Sequence, residues 1–375
     1  MKKNAAAGTA LITALLCLSA TLQFGQSSWR KYGPAARYQH TAIYDAGSDT
    51  MVIFGGQHTN TSQNYNDLWW VNNVTTTACL PPCALQWTHP SNTMGAAPSA
   101  RYGHTAVYDS LNLRMVVFGG AQGVATPPPC LNDVHLLKYP AGAGGTIAWS
   151  TLSPKSPLPP VRYSHSAVYD AADNEMIVFG GNNCTSTYYN DVWVLQNANG
   201  LGGSPAWIQL SPSGPAPAPR ALLSAVYDAV GDNMIVFGGW NGSTIYGDLW
   251  VLQHAGGVSG SPAWVQLSPA GTTPSARYGH SAVYDPNTNR MIVYGGNEKG
   301  QSDTTQTWVL SNANGLGGAP SWTLTSSSGP QRSYQSAIYS QETNKMVIFG
   351  GQVPKAVNGD PTDDHVWVFN NANEL

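Results

Sequence analysis

The sequence predicts an all-β protein in which six similar units of four antiparallel strands are arranged radially as a six-bladed β-propeller. The main observation is a 20-residue stretch, Arg277–Gly296, which reads RYGHSAVYDPNTNRMIVYGG and recurs along the chain. The other copies begin at Arg37, Arg101, Arg162, Arg220 and Arg332. The six leading arginines are 64, 61, 58, 57 and 55 residues apart. A period of this length in a strand-rich pattern is typical of propeller blades.

Each copy holds two strands and the turn between them. In the copy at Arg277, Ser281–Tyr284 form strand a and Met291–Tyr294 form strand b, and the Asp-Pro-Asn-Thr-Asn segment between them favours a tight turn. After the Gly-Gly pair, a polar loop leads to a strand c such as 190–195, and a glycine-rich connection leads to a strand d such as 207–210. The predicted blades span approximately residues 37–90, 101–152, 162–210, 220–267, 277–324 and 332–370.

The sixth unit lacks a fourth strand of its own. Its strands at 336–339, 346–349 and 365–369 are followed by an Asn-Asn-Ala-Asn segment, whereas other units continue from an equivalent segment into a tryptophan-bearing strand d. Trp29–Tyr32, which precedes the first arginine, carries such a tryptophan. We therefore expect residues 29–32 to complete the sixth blade, because this pairs two strand edges that would otherwise be open.

Tryptophans support this register. On strand d they are Trp29, Trp87, Trp149, Trp207, Trp264 and Trp322, and on strand c they are Trp69, Trp193, Trp250, Trp308 and Trp367, with His135 at this position in the second blade. Each can bury about 150–250 Å², or roughly 4–6 kcal/mol as an upper bound. A tryptophan stripe also occurs in sugar-binding proteins, but fixed repeat positions favour a core between blades. Trp70 and Trp240 lie outside the register.

The pattern of Tyr-Asp, an apolar strand, Gly-Gly and two spaced tryptophans resembles the kelch repeat, and the resemblance extends from Trp29 to the C-terminus. It implies a kelch β-propeller of the superfamily that includes the central domain of galactose oxidase, in its secreted bacterial form. The resemblance is specific for the fold and weak for function, since kelch propellers serve as enzymes, adaptors and scaffolds alike.

The antiparallel strand path places the b–c and d–a loops on one face, over a central channel surrounded by strands a. In kelch adaptors of ubiquitin ligases, the ligand pocket is lined by the residue after each arginine and those after each Gly-Gly, so the resemblance implies a binding site at these positions. The tyrosines could equally be repeat consensus with structural hydrogen bonds. Trp240 breaks the repeat, which favours a binding role. The candidate ligand-binding residues are Tyr38, Gln57, His58, Tyr102, Tyr163, Asn182, Trp240, Asn241, Tyr278, Asn297, Glu298 and Gln352.

We predict neither catalytic residues nor a cofactor. Galactose oxidase uses copper held by two tyrosines, one crosslinked to cysteine, by two histidines and with an additional C-terminal domain, and we expect no complete equivalent. Bacterial sialic acid mutarotase is another six-bladed analogue, but no motif here matches its site. The carboxylates of the turns and of strand c offer no convergent pair for glycoside hydrolysis.

We also predict no metal site. The recurring residues His40, His104, His165 and His280 lie around a circle, so we interpret them as strand-a residues bonded to the neighbouring blade's backbone. The six arginines are interpreted as clamps between blades. The acidic segment 360–365 could hold a hard cation or form a solvated loop. It fits only loosely the Glu-x-x-x-Asp-x-x-x-His motif of iron-dependent plant specifier proteins, since Val368 replaces the histidine.

Residues 1–26 resemble a signal peptide, with Lys2 and Lys3 before a short apolar segment, and the mature domain is predicted to span 27–375. A lipoprotein is the alternative, because Cys17 lies in that segment, but Leu16 replaces the small residue expected before a lipid-modified cysteine. An exported protein can form disulfides. The blade register predicts the pairs Cys79–Cys83 and Cys130–Cys184, with four free thiols as the alternative.

Charged residues make up only 10% of the chain and the net charge is −3, which argues against nucleic-acid binding and an anionic membrane surface. We therefore expect a secreted or periplasmic monomer without a membrane span. Its predicted function is a non-catalytic kelch-repeat interaction module that binds a glycan or an extended peptide on the face of the b–c and d–a loops. The alternative is a small-sugar enzyme, an oxidase or a mutarotase, that uses the same face.

Overall fold

The repeats form antiparallel sheets arranged as six blades in the computed structural model, which describes residues 33–76, 85–142, 145–298, 303–357 and 360–374. The prediction of an all-β six-bladed propeller is confirmed. The one helical segment among these residues is a 3-10 turn at Ala46–Ser48. No helix in this part of the chain is long and apolar enough to span a lipid bilayer. The predicted signal segment 1–26, the closing strand 29–32 and Cys79–Cys83 lie outside the described residues.

The first three blades are β1 (Thr41–Asp45), β2 (Thr50–Phe54), β3 (Leu68–Asn72) and β4 (Trp87–Thr88); β5 (Thr105–Asp109), β6 (Arg114–Ala121), β7 (Cys130–Lys138) and β8 (Ala148–Leu152); and β9 (Ser166–Asp170), β10 (Glu175–Phe179), β11 (Val192–Gln196) and β12 (Ala206–Leu210). The next two are β13 (Ser224–Asp228), β14 (Asn233–Trp240), β15 (Ile245–Gln253) and β16 (Ala263–Leu267); and β18 (Ser281–Asp285), β19 (Arg290–Tyr294), β21 (Thr307–Ser311) and β22 (Ser321–Ser326). The sixth contains β23 (Ser336–Ser340), β24 (Lys345–Phe349) and β27 (Val366–Asn370). Two short pairs lie in loops: β17 (Arg277–Tyr278) with β20 (Asn297–Glu298), and β25 (Gln352–Val357) with β26 (Asp360–Thr362).

The second strand of each blade forms the core. In β14, Met234–Phe237 are completely buried, because this strand lies between two others in its sheet and packs against neighbouring blades on both faces. The first strand alternates instead, as the buried and half-buried residues of β9 show. The six first strands surround the channel and line a lower cavity of about 340 Å³.

The strand-d tryptophans join adjacent blades, as their register predicts. Each packs on the phenylalanine at the end of strand b in the preceding blade, with ring centroids 4.8–5.3 Å apart. The pairs are Trp149 on Phe54, Trp207 on Phe118, Trp264 on Phe179, Trp322 on Phe237 and Trp87 on Phe349. The sixth aromatic of this series is Tyr294 in the fifth blade. Trp70 is also buried, in the core of the first two blades.

A closed cycle of backbone hydrogen bonds, here called the channel ring, lies at the upper end of the channel. Its members are Gln39, Gly103, Ser164, Leu222, Gly279 and Tyr334, and each donates its N–H to the carbonyl of the preceding member at 2.6–3.0 Å. The bond from Gln39 to Tyr334 joins the first blade to the sixth. All six have φ between 51° and 63°, although only two are glycine. Four side chains therefore occupy a left-handed backbone that L-residues ordinarily avoid.

Histidines form a second connection just below this ring. His104 Nε2 lies 3.0 Å from Thr41 Oγ1 of the preceding blade, and His165 and His280 make the same contact at 2.8 Å with Thr105 and Ser224. His40 completes the contact with Ser336 of the sixth blade at 2.7 Å. The predicted bond to the neighbouring blade's backbone is also present, from His40 to Phe349, from His104 to Phe54 and from His280 to Phe237. The neighbouring hydroxyl is a second partner that was not predicted.

The arginine side chains act within one blade, which corrects the interpretation of the guanidinium groups as clamps between blades. Arg162 binds both oxygens of Asp191 at 2.8–2.9 Å in its own blade. Trp193 Nε1 donates to the same aspartate at 2.7 Å, and thus holds the acceptor in place. His135 binds Asp133 at 2.8 Å, and so performs this role where the second blade lacks the tryptophan. The arginine carbonyl makes the contact between blades, as Gly120 N–H to Arg162 O at 2.9 Å shows.

The predicted disulfide Cys130–Cys184 is present, with the Cα atoms 5.7 Å apart. It joins the b–c loops of the second and third blades on the upper face. Its loop of 54 residues corresponds to about 4 kcal/mol of stabilisation in the chain-entropy estimate. The two loops that flank the candidate site are therefore covalently joined.

Candidate functional site on the upper face

The two predicted classes of site position are adjacent in the structure. The residue after each arginine pairs with the residue after each Gly-Gly, through main-chain hydrogen bonds such as Tyr38 N to Gln57 O at 3.0 Å. The other pairs are Tyr102 with Ala121, Tyr163 with Asn182, Ala221 with Trp240, Tyr278 with Asn297, and Ser333 with Gln352. The d–a and b–c loops therefore form one continuous surface around the channel mouth.

Seven half-buried aromatic side chains on this surface form what we call the aromatic rim. They are Tyr38, Tyr102, Tyr163, Tyr188, Trp240, Tyr278 and Tyr334. Trp240 stacks on Tyr278 with centroids 5.6 Å apart and planes at 23°. Tyr334 is in edge contact with both Tyr278 and Tyr38, at 6.2 and 6.0 Å. Trp240 also contacts Tyr188 edge-on at 6.2 Å. Five rings thus form an unbroken path, and Tyr102 and Tyr163 form a further pair at 6.1 Å.

Four phenols of the rim, those of Tyr38, Tyr102, Tyr163 and Tyr334, are neutral at physiological pH. Burial, followed by the neighbouring phenols Tyr163 and Tyr38, raises the pKa of Tyr102 to about 12. Burial likewise raises the pKa of Tyr38, Tyr163 and Tyr334, with a smaller contribution from an adjacent tyrosine in each case. These groups can therefore donate and accept hydrogen bonds, and they do not supply the base with a pKa near 7 that proton transfer favours.

Several predicted polar residues form contacts within the protein. Gln57 accepts a 2.6 Å hydrogen bond from Tyr38 Oη, and Asn182 Oδ1 accepts the Cys184 N–H at 2.7 Å. Glu298 binds Arg277 at 2.9 Å, and so takes the acidic role that a strand-c aspartate has in four other blades. Asn241 holds Tyr246 Oη at 2.6 Å. These side chains shape the surface through internal bonds.

The remaining predicted residues lie in the loops above the channel. His58 is half-buried in the b–c loop of the first blade, and Gln352 reaches Thr59 Oγ1 of that same loop at 3.4 Å. Asn297 donates to Asp303 at 3.1 Å in the fifth blade. The first and sixth blades are thus joined on this face.

Three residues of the site were not among the predicted ones. Tyr334 lies one position later than the other tyrosines, because the sixth blade reads Arg-Ser-Tyr instead of Arg-Tyr-Gly. Tyr188 is the extra residue of a Tyr-Tyr pair whose second member, Tyr189, lies against Arg162. Asp303 is only 6% exposed, and burial raises its pKa, although the Asn297 bond opposes this. The doubled tyrosines and the shifted tyrosine were visible in the sequence, whereas Asp303 lies in a loop that matches no repeat.

The centre of the face is shallow. Its depression holds about 120 Å³, and the channel ring and the histidines beneath it line the floor. Pockets for small ligands typically hold about 300–1,000 Å³. The centre therefore accommodates the tip of a side chain or a similar small group, while a larger ligand contacts the rim.

At the sixth blade, Asp363, Asp364 and His365 bring their ligand atoms within 4.8 Å of one another. Asp363 is also bonded to Arg332 and to His365 Nδ1. It is the acidic partner of the sixth arginine, although the position that corresponds to Asp191 of the third blade is occupied by His365. The contacts described here give the carboxylate a structural role.

The blades, the Gly-Gly pairs and the paired d–a and b–c loops define a kelch-repeat β-propeller. Residues 8–143 match the KLHDC2/KLHL20/DRC7 kelch-repeats domain, and residues 135–370 match the attractin/LZTR1 β-propeller. Since the second match covers more than half of the sequence, the chain belongs to the attractin/LZTR1 β-propeller family.

The chain spans only about a third or less of the length of the first curated relatives that it matches. Human host cell factor 2 is 28% identical over 308 residues, which is 76% of this chain and 34% of that protein. The flagellar outer-arm dynein alpha chain of Chlamydomonas reinhardtii is 31% identical over 58% of this chain and 5% of its own length. A solved structure, that of YjhT, has a TM-score of 0.63 at 16% identity and covers 90% of this chain and 99% of its own. This last likeness concerns the fold alone.

Proposed function

We propose that this chain is an exported, non-catalytic interaction module whose upper face binds an extended polypeptide segment. The observation that carries the proposal is the path of aromatic rings from Tyr188 to Tyr38 around the channel mouth. Aromatic side chains dominate the energetics of protein interfaces because they bury large areas at low entropic cost. Export is inferred from the signal-like residues 1–26, and the disulfide is consistent with an oxidising compartment.

The shape of the face supports a peptide over a small molecule. The central depression of about 120 Å³ is too small to enclose a drug-sized ligand, whereas the rim extends across several blades. Neutral phenols offer donors and acceptors for a peptide backbone. The small-sugar enzyme is less well supported, since the rim phenols and the buried channel histidines are poor bases near pH 7.

A glycan is the second candidate, and the pair Trp240–Tyr278 favours it. The near-parallel rings form a flat aromatic surface on which a sugar ring could lie. Arrays of peptides and of glycans, probed with the purified protein, distinguish the two ligands. Turnover of free sugars in the absence of binding on either array would instead favour the enzyme.

Replacing Trp240 with alanine is expected to weaken binding of the best array ligand by about 30-fold or more, the effect of losing roughly 2 kcal/mol at an aromatic hot spot. The melting temperature should fall by only a few degrees, because the indole is half-buried at the end of β14. Isothermal titration calorimetry and differential scanning fluorimetry measure the two quantities.

The matched control is Val230→Ala, which alters a 93% exposed residue in the same blade at the a–b turn on the opposite face. It should leave the affinity unchanged. If Trp240→Ala unfolds the protein, or if it folds and binds with unchanged affinity, the proposed site is wrong.

A further inference from the structure

The channel ring carries side chains at positions where its backbone conformation favours glycine. Gln39, Ser164, Leu222 and Tyr334 have φ between 51° and 58°, a left-handed conformation that few residues other than glycine, asparagine and aspartate adopt. A backbone in such a sparsely populated region persists only where its surroundings require it, and these positions cluster at functional sites. The four side chains are therefore candidates for contact with a ligand.

The two glycines of the ring have a steric explanation. A Cβ atom on Gly103 would lie 2.9 Å from the ring of Tyr163, and one on Gly279 would lie 3.1 Å from the ring of Tyr334. At both positions an aromatic ring of the following blade thus occupies the space that a side chain would need. Glycine is explained at these two positions, and the side chains at the other four need a separate reason.

The four side chains give the central depression a polar half and an apolar half. Gln39 Nε2 of the first blade donates to Ser164 Oγ of the third blade at 3.3 Å. Leu222 of the fourth blade and the ring of Tyr334 of the sixth lie on the other side. Among the described residues, Gln39 Oε1, the second N–H of its amide and the Ser164 hydroxyl hydrogen make no further contact. The polar half therefore offers both donors and an acceptor.

No ionised side chain is among the described residues that line this depression. Burial, followed by a neighbouring arginine, lowers the pKa of His40 and His280 to about 3 and holds the pKa of His104 and His165 well below the usual range. Burial also raises the pKa of Tyr334. The six arginines are each paired with a carboxylate. A charged group that entered would lose hydration without gaining an opposite charge, so the depression favours a neutral group.

We infer that the depression holds the primary carboxamide of an asparagine or glutamine side chain of the bound peptide, with Gln39 and Ser164 as its hydrogen-bonding residues. A primary carboxamide has a carbonyl oxygen and two N–H donors, so it complements the free donors and the acceptor of the polar half. Its methylene groups pack on Leu222 and Tyr334. This inference rests on the proposed peptide-binding function and specifies the residue that anchors the peptide.

The geometry of amides distinguishes this side chain from other amide groups. In a trans peptide bond the N–H and the C=O point in opposite directions, and the same holds for the acetamido group of a glycan. Neither can present both groups to Gln39 at once. A primary carboxamide has one N–H on the same side as its oxygen and can do so. An aliphatic side chain fits the apolar half but leaves Gln39 and Ser164 without partners.

The test is a series of NMR titrations of the isotope-labelled protein with small probes. The probes are the N-acetyl amides of glutamine, asparagine, glutamate and leucine, and N-acetylglucosamine. The better of the two carboxamide probes should bind with a Kd of about 1 mM, as an ordinary ligand efficiency predicts for about 13 non-hydrogen atoms. The other three should bind about tenfold more weakly or worse, because they lack two neutral hydrogen bonds. Equal or tighter binding of any of these three would overturn the inference.

Glycine substitutions separate a binding role from a structural one. Gln39→Gly and Ser164→Gly remove the side chains and supply the residue that the left-handed backbone favours. Gln39→Gly should weaken carboxamide binding about tenfold and Ser164→Gly about threefold, with the melting temperature unchanged or raised. The matched control Asn73→Gly makes the same change at φ 53° in an exposed residue of the opposite face, and should alter neither quantity. Unchanged affinity in both variants, or a lower melting temperature in both, would contradict the inference.

Failure of this inference can be told apart from failure of the proposed function. Trp240 does not line the depression, so Trp240→Ala should retain carboxamide binding while it loses the array peptide. An array peptide that depends on Trp240 but contains no essential asparagine or glutamine would overturn the inference alone. Carboxamide binding that depends on Gln39, without any peptide bound on the array, would overturn the proposed function alone.

Discussion

Acidification below pH 6.5 is expected to destabilise the propeller steeply, well before its carboxylates are protonated. Burial and then the neighbouring arginines lower the pKa of His40 and His280 to about 3, and the same causes hold the pKa of His104 and His165 well below the usual range. An unfolded histidine has a pKa near 6.5. Between pH 6.5 and 3 the unfolded chain therefore binds more protons than the folded protein. The free energy of unfolding, which is at its full value above pH 6.5, falls as the pH is lowered through this range.

The size of this effect follows from linkage. Each histidine contributes a slope of about 1.4 kcal/mol per pH unit, so four contribute at most about 5.5 kcal/mol per unit. A typical stability of about 5–15 kcal/mol would be exhausted within roughly one to three units below pH 6.5. Circular dichroism or tryptophan fluorescence between pH 8 and 3 measures the transition.

The sixth blade suggests a variant that tests whether the buried histidines cause the acid sensitivity. Gln335 occupies the histidine position in the sixth blade and donates to Ser281 Oγ at 3.1 Å, so glutamine fits this environment. His104→Gln should reduce the proton uptake on unfolding by about one and flatten the profile. The control His89→Gln alters an exposed residue and should change neither the proton uptake on unfolding nor the pH profile of stability. An identical profile for His104→Gln would rule out the buried histidines as the origin of the acid sensitivity.

Deleting residues 29–32 is expected to lower the melting temperature and solubility strongly, because we propose that this segment is the fourth strand of the sixth blade. Among the described residues, β27 pairs only with β24, and Trp367 is 45% exposed where Trp193 of the third blade is 4% exposed. A groove lined by Tyr294, Trp367 and neighbouring apolar residues runs beside it. In the other blades the strand-d tryptophan packs on the aromatic residue at the end of strand b in the preceding blade. For the sixth blade this aromatic residue is Tyr294, and the sequence predicts that the tryptophan is Trp29.

Loss of a buried tryptophan costs roughly 4–6 kcal/mol as an upper bound, so Trp29→Ala alone should reproduce most of the effect. Urea unfolding of Trp29→Ala, Tyr294→Ala and the double variant measures the coupling, which should exceed 0.5 kcal/mol if the two rings touch. Arg30→Ala changes an adjacent side chain and should have little effect. Additive effects of the two aromatic substitutions, or a deletion that melts like the parent, would refute this closure.

The fold could be predicted because one repeated pattern specifies both the strands and their contacts. A d-strand tryptophan must meet the same aromatic in every blade, so the register of Trp207 and Phe118 also holds for Trp264 and Phe179. The same register placed Cys130 and Cys184 in adjacent loops, and the disulfide is confirmed. A repeat does not reveal which blade a long side chain reaches, and for this reason the arginine side chains were assigned to the wrong contact.

The site was less predictable because its distinctive residues deviate from the repeat. Trp240 could be identified from the sequence because it departs from the repeat at the end of a strand whose position the repeat defines. Tyr334 was not predicted because it is displaced by one residue along its loop. Asp303 was not predicted because its environment depends on a tertiary contact with Asn297, which no local sequence pattern encodes. Hydrogen bonds within the protein likewise determine whether the side chains of Gln57 and Glu298 are available to a ligand. The spacing of residues in the sequence does not predict such side-chain pairing.

The channel ring has no first donor and no last acceptor, which distinguishes it from a strand ladder with frayed ends. Moving any one blade outward breaks two of its bonds and leaves two amides and two carbonyls unpaired. Separating adjacent blades is therefore unfavourable at every junction of the channel ring. The six ring amides should exchange with deuterium only through global unfolding, with equal protection factors in all six blades, even where the flanking loops exchange rapidly.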